Sequence, residues 1–144
     1  MKLLKKVFAL FVFPLILSTC AAQDLEADIE IQCDDFYQNS HQTGSLEVSV
    51  EEEFTINLCS NASTGFQWIE MAVISDPSML EQTSHEYIGH PEQGDPPPPG
   101  TPGSQLWKFK ALRGGTSTLS FEYGRDWEGG EKGAWTFNLT VRVK

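Results

Sequence analysis

The sequence predicts an all-β domain, an antiparallel sandwich or barrel of about seven short strands, and two observations carry that expectation. Apolar residues recur at every second position in one segment after another, the spacing that turns one face of a strand toward a core. Between these segments stand Gly, Pro, Asn and Asp, which end strands and make turns, and no long helical periodicity interrupts them.

Taken in order, Ile29-Glu30-Ile31-Gln32-Cys33 alternates and reads as a first strand. It lies within an acidic, polar stretch, residues 23–42, part of which is expected to be a tether. Leu46-Glu47-Val48-Ser49-Val50 and Phe54-Thr55-Ile56-Asn57-Leu58 alternate strictly, and Phe66 to Val73 is a mostly apolar run. Leu106 to Leu112 and Leu119 to Tyr123 alternate again, and Gly114-Gly115 between them reads as a tight hairpin. Trp135 to Val143 supplies the last strand. Trp68, Trp107 and Trp135 fall in apolar segments and are expected in the core, whereas Trp127 falls in a polar loop.

Residues 1–22 read as an export signal. Met1 to Lys6 carries three lysines, Val7 to Leu17 is apolar, and Ser18-Thr19-Cys20-Ala21-Ala22 offers small residues for cleavage. The apolar run falls short of the roughly 20 residues a membrane-spanning helix needs. Leu17-Ser18-Thr19-Cys20 resembles a bacterial lipobox, which would make Cys20 a lipidated N-terminus; ordinary cleavage after Ala21 or Ala22 is the alternative. The protein is therefore expected to be secreted or on the cell surface, meeting a membrane only through that lipid. Cys33 and Cys59 remain, and in an exported chain an even pair reads as one disulfide, with two buried free thiols as the alternative. Their spacing is unlike a metal site, and no metal or cofactor is expected.

Composition narrows function. The chain has 10 basic and 20 acidic side chains; removing residues 1–22 takes three lysines and no acid, leaving seven against twenty and a formal charge of −13. No basic stripe exists, which excludes nucleic acid as a partner. His41, His85 and His90 are scattered in polar segments without a nucleophile motif, so the sequence reads as a non-enzyme.

Three connections differ from ordinary turns: Ser60-Asn61-Ala62-Ser63-Thr64-Gly65, uncharged in an acidic chain; the long Gly89 to Ser104 segment with Pro96-Pro97-Pro98-Pro99; and Gly124-Arg125-Asp126-Trp127-Glu128-Gly129-Gly130. Here the sequence resembles the chagasin-type family of cysteine protease inhibitors. That family's first signature, Asn-Pro-Thr-Thr-Gly followed by an aromatic and then Trp, stands as Asn61-Ala62-Ser63-Thr64-Gly65-Phe66-Gln67-Trp68. Its last, Arg-Pro-Trp, stands as Arg125-Asp126-Trp127, and its glycine-rich middle loop is matched by Gly100-Thr101-Pro102-Gly103-Ser104. The resemblance covers about Gly44 to Lys144, which sets an inhibitor domain at 43–144. Both signature prolines are replaced, by Ala62 and Asp126, so both loops are expected to be less rigid.

The resemblance implies an immunoglobulin-like fold with three loops side by side at one end, wedged into the active-site cleft of a papain-like cysteine protease by a monomeric inhibitor. The implied contact residues are Asn61, Ala62, Ser63, Thr64, Gly65 and Phe66 in the first loop, Gly100 and Gly103 in the second, and Arg125, Asp126 and Trp127 in the third. Gly65 is expected to supply a positive φ or a close backbone approach, Asn61 to hold the loop's shape, and Trp127 and Arg125 to act as anchors. An immunoglobulin-like adhesion or carbohydrate-binding module is the alternative function.

Overall fold

Two sheets face each other across one core in the computed structural model, which describes residues 28–89, 98 and 100–144. The strands are β1 (Ile29–Ile31), β2 (His41–Val48), β3 (Glu53–Ser60), β4 (Gln67–Trp68), β5 (Val73–Ile74), β6 (Leu80–Ile88), β7 (Gly103–Ala111), β8 (Gly115–Gly124) and β9 (Trp135–Val143), with one short helix, α1 (Cys33–Gln38). One sheet has the order β1-β3-β7-β6; the other runs β2-β9-β8-β4, with β5 also on β8. The expected sandwich is present, with nine strands rather than about seven because the Phe66–Val73 run breaks into two short pieces and Leu80–Ile88, which shows no clean alternation of apolar residues, forms a strand as well.

The alternation that marked each strand is what fills the core. Phe54, Ile56 and Leu58 of β3, Trp107 and Phe109 of β7, Phe121 and Tyr123 of β8, and Phe137, Leu139 and Val141 of β9 are buried, while their sequence neighbours, the buried Cys59 and Leu106 apart, face outward or lie half-buried. Trp68 joins them, its indole N–H donating to the Cys59 carbonyl at 2.8 Å so that the buried polar atom is satisfied.

Three expectations change. The sheets are mixed, because β1 pairs parallel with β3 and β2 parallel with β9. The chain climbs in β1, crosses between the sheets through α1 and descends in β2, so each strand reaches a neighbour running its own way. Gly114-Gly115 is not a hairpin: β7 and β8 belong to different sheets, and this turn carries the chain across. And from Asp28 onward the acidic N-terminal segment is part of the domain, β1 lying on β3 and Asp28 accepting the Thr55 N–H at 2.7 Å. Residues 1–27, with the expected export signal and Cys20, lie outside the described residues.

A disulfide joins Cys33, the first residue of α1, to Cys59 at the end of β3, with Cα atoms 5.1 Å apart. Phe36 fills the space beneath α1, stacking on Trp135 at 4.9 Å between ring centroids. The helix start is held by the Gln32 N–H, which donates to the Asp35 carboxylate at 3.0 Å.

Candidate functional site

The strand directions bring four connections to one end of the sandwich. β3, β6 and β8 all run toward that end, where the loops β3–β4, β6–β7 and β8–β9 turn back, and β1 delivers α1 to the same place. The three loops singled out in the sequence are therefore neighbours.

The first loop is a tight turn. Ala62–Thr64 forms one 3-10 turn, and Gly65 follows with φ +76° and ψ 3°, a left-handed conformation that a side chain at this position would strain. The Thr64 hydroxyl donates to the Asn61 carbonyl at 2.7 Å and the Ser63 hydroxyl to Asn61 Oδ1 at 2.7 Å. Asn61 thus holds the loop's shape by accepting from its neighbours. Its own N–H donates to the Tyr123 hydroxyl at 2.9 Å, pinning the loop to the core. Ala62, Ser63 and Thr64 are exposed and uncharged.

The other loops are tied to it. Asn61 Nδ2 donates to the Gly100 carbonyl at 3.2 Å, joining the first loop to the second. From the third, Arg125 lays its guanidinium over the Phe66 ring at 4.3 Å and donates to the Thr64 carbonyl at 3.4 Å. Trp127, 53% exposed, packs against Gly65 so closely that a Cβ there would lie 2.9 Å from the ring. Within the third loop the Arg125 N–H donates to the Glu131 carbonyl at 2.7 Å, and Lys132 donates to the Arg125 carbonyl at 2.7 Å while lying 3.7 Å from Asp126.

Of the residues named from sequence, ten lie on or in these loops, and Gly103 sits differently. It is buried at the start of β7, where a Cβ would meet the Tyr87 hydroxyl at 2.3 Å and the Ile88 carbonyl at 2.7 Å. Its role is to let β6 close over β7 beneath the second loop. Arg125 stacks on aromatic rings and is not paired with Asp126 or Glu128, the contacts its neighbours in sequence offered. Residues 90–97 and Pro99, which hold most of the proline run, lie outside the described residues.

Sequence reasoning passed over the supports. Tyr123 reads as one more core residue of an alternating strand, yet its hydroxyl carries the first loop. Behind it an aromatic ladder crosses the whole end of the domain: Phe36 on Trp135, Trp135 on Tyr123 at 4.6 Å, Tyr123 on Phe66 at 5.7 Å, then Arg125 between Phe66 and Trp127. Gln105, buried, donates to Ser60 at 3.1 Å at the base of the first loop and accepts from His85 at 2.9 Å. Among the described residues no three His, Cys, Asp or Glu side chains gather as a metal site. The arrangement offers a narrow uncharged wedge braced from both sides, and the hydroxyls of Ser63 and Thr64 are spent on holding that shape.

Comparison with known proteins gives this end of the molecule a context. Residues 47–141 match the family described as chagasin family peptidase inhibitor I42. No curated protein matches the chain. Among solved structures, the cysteine protease inhibitor EhICP2 of Entamoeba histolytica superposes with a TM-score of 0.61 at 20% identity, covering 81% of this chain and 95% of that one. PbICP-C, solved in complex with falcipain-2, gives 0.59 at 17% identity, covering 81% and 99%. Amebosin gives 0.53 at 22% identity, covering 81% and 97%. At these identities the structural likeness establishes a shared fold.

Proposed function

The chain belongs to the chagasin family of peptidase inhibitors and is an inhibitor, not an enzyme; on that premise we propose that it blocks papain-like cysteine proteases by seating the Asn61–Phe66 loop in the active-site cleft. The observation that carries the reading is the first loop itself: exposed, uncharged, turned on a left-handed glycine and cross-braced to its neighbours. A loop with no charge loses little on entering a cleft. A loop already held in one shape loses little entropy when bound. Its 3-10 turn does not present the extended backbone that a protease aligns for hydrolysis, so occupation blocks the cleft without cleavage. Arg125 and Trp127 would grip one wall and the Gly100 turn the other; aromatic and Arg side chains dominate interface energetics. Family membership favours this reading over an adhesion or carbohydrate-binding module.

The test is titration of the mature protein against papain and a cathepsin-type enzyme with a peptide substrate. Inhibition is expected, and Thr64→Arg should raise Ki by more than about 100-fold, the size of a central hot spot. Glu81→Gln, at the far end of β6, should leave Ki unchanged. No inhibition of either enzyme at micromolar protein, or equal effects of the two substitutions, would refute the wedge.

Export belongs to the same proposal. The lysine-led apolar N-terminus supports secretion or surface display, with Cys20 lipidated or the chain cut after Ala21 or Ala22, and the Cys33–Cys59 bridge suits an oxidising compartment. The mass of the mature N-terminal peptide distinguishes the lipidated form from the two cleaved ones.

A further inference from the structure

We infer that the inhibitory surface has a fourth element, and that an aromatic pocket between α1 and the first loop receives an apolar side chain from the rim of the protease cleft. This deepens the wedge reading and rests on it. The pocket has a volume of about 190 Å³, below the roughly 300–1,000 Å³ of small-molecule sites and suited to one ring or branched side chain. Tyr37, Phe66, Ala134 and Trp135 form its walls, and Asn61 and Thr64 its edge.

Three observations identify the occupant as part of the protease. The pocket is continuous with the wedge, because Asn61, Thr64 and Phe66 belong to both, so an enzyme seated on the first loop covers this wall as well. No charged residue lines it, in a domain with a large excess of acids, so it offers nothing to an ionic ligand and favours apolar burial. And Tyr37 is 68% exposed, with its ring edge-on to Trp135 at 5.5 Å. A large aromatic left this open beside a binding loop is the usual form of an interface anchor.

The pocket is also held firmly. The Cys33–Cys59 bridge fixes α1 to the end of β3, one residue before Ser60 and the wedge, and Phe36 seats the helix on Trp135 and Trp68. A preformed wall costs little to bind. Residues 33–38 precede the segment matched by the family, 47–141, so the contact lies beside the three loops that the family's signatures mark.

Ki against papain tests the inference, with wild type and Thr64→Arg measured alongside. Tyr37→Ala should raise Ki about 10-fold, chiefly through faster dissociation. Tyr37→Glu should raise it further by placing a carboxylate in an apolar contact, and Tyr37→Phe should stay within about twofold, as the ring and not the hydroxyl does the work. Ala134→Gln, which fills the pocket from the opposite wall without touching α1, should weaken binding alike. Thermal unfolding should be unchanged for the exposed Tyr37 variants. Tyr37→Ala, Tyr37→Glu and Ala134→Gln all within twofold of wild type, with Thr64→Arg inactive, would leave the wedge standing and remove the pocket from the interface. A wild type that fails to inhibit overturns the wedge and this inference together. Sedimentation showing self-association abolished by Tyr37→Ala, with Ki unchanged, would assign the pocket to a second copy and overturn it too.

Discussion

Gly65→Ala separates the wedge's internal geometry from its contact with the third loop. Two costs can be worked from the structure. At φ +76° an alanine bears the left-handed penalty, about 1–2 kcal/mol. Its Cβ would also stand 2.9 Å from Trp127 Cη2, where carbon atoms prefer about 3.5–4.0 Å. Trp127 is 53% exposed and held chiefly by Arg125 at 5.5 Å, so the ring and not the backbone gives way. Stability should therefore fall by little more than the backbone penalty, a Tm decrease of about 3–8 °C for a domain of this size. Inhibition should fall further, because the displaced ring is an anchor, and Ki should rise by about 10-fold or more.

Two comparators isolate the terms. Gly65→Asn adds the same Cβ but tolerates the left-handed region, so Tm should recover while Ki stays high. In a Trp127→Ala background the clash is gone, and Gly65→Ala should then change Ki much less than in wild type, a coupling above about 0.5 kcal/mol. Urea or thermal unfolding with Ki against papain reads both axes. An unchanged Tm for Gly65→Ala would refute the strained turn. The same factor in Ki in both backgrounds would refute the bracing of the first loop by the third.

Other outcomes follow from the same geometry. Replacing Cys33 and Cys59 together by Ser should cost about 3–4 kcal/mol from the closed loop of 26 residues, read by denaturant unfolding, and unreduced wild type should show no reactive thiol. Arg125→Lys should weaken inhibition about as much as Arg125→Met, because an ammonium cannot lie flat between Phe66 and Trp127; a Lys variant with wild-type Ki would make charge alone sufficient. Lys144 holds the Glu47 carboxyl below its usual 4.5, first by a hydrogen bond and then by charge. A lowered folded-state value stabilises above the unfolded value and is lost as pH falls through the folded one, so the Tm difference between wild type and Glu47→Gln should shrink below about pH 4.5 and with added salt.

What the sequence made legible depends on what period two encodes. Alternation at Phe54–Leu58, Leu119–Tyr123 and Trp135–Val143 marked which side chains enter the core, and all three segments are core strands. It carries no information about which sheet a strand joins or which way its partner runs. That is why Gly114-Gly115 passed for a hairpin, and why the parallel pairs β1–β3 and β2–β9 were hidden. α1 was hidden for another reason: six residues are too few to show a helical period, and one buried side chain, Phe36, anchors it. The loops were legible because recognition needs particular residue types in a fixed order. Gly103 was read as a loop contact because a glycine in a loop and one under a neighbouring strand look alike until Tyr87 is placed against it.

The absent prolines show how the loops keep their shape. A proline at Ala62 or Asp126 would act mostly on the unfolded chain, stiffening each loop separately by about 0.4–1 kcal/mol. In their place the structure has ties between loops: Asn61 to Gly100, Arg125 to Thr64 and Phe66, Trp127 on Gly65. Each hydrogen bond contributes about 0.5–1.5 kcal/mol, so a few such ties match what two prolines would supply. Their effect is different in kind. Stiffness made within a loop survives damage to its neighbour, whereas stiffness made between loops does not. Part of the first loop's rigidity then depends on the third, and a change at Trp127 or Arg125 should loosen a wedge it does not belong to. The coupling between Gly65 and Trp127 measures that dependence directly.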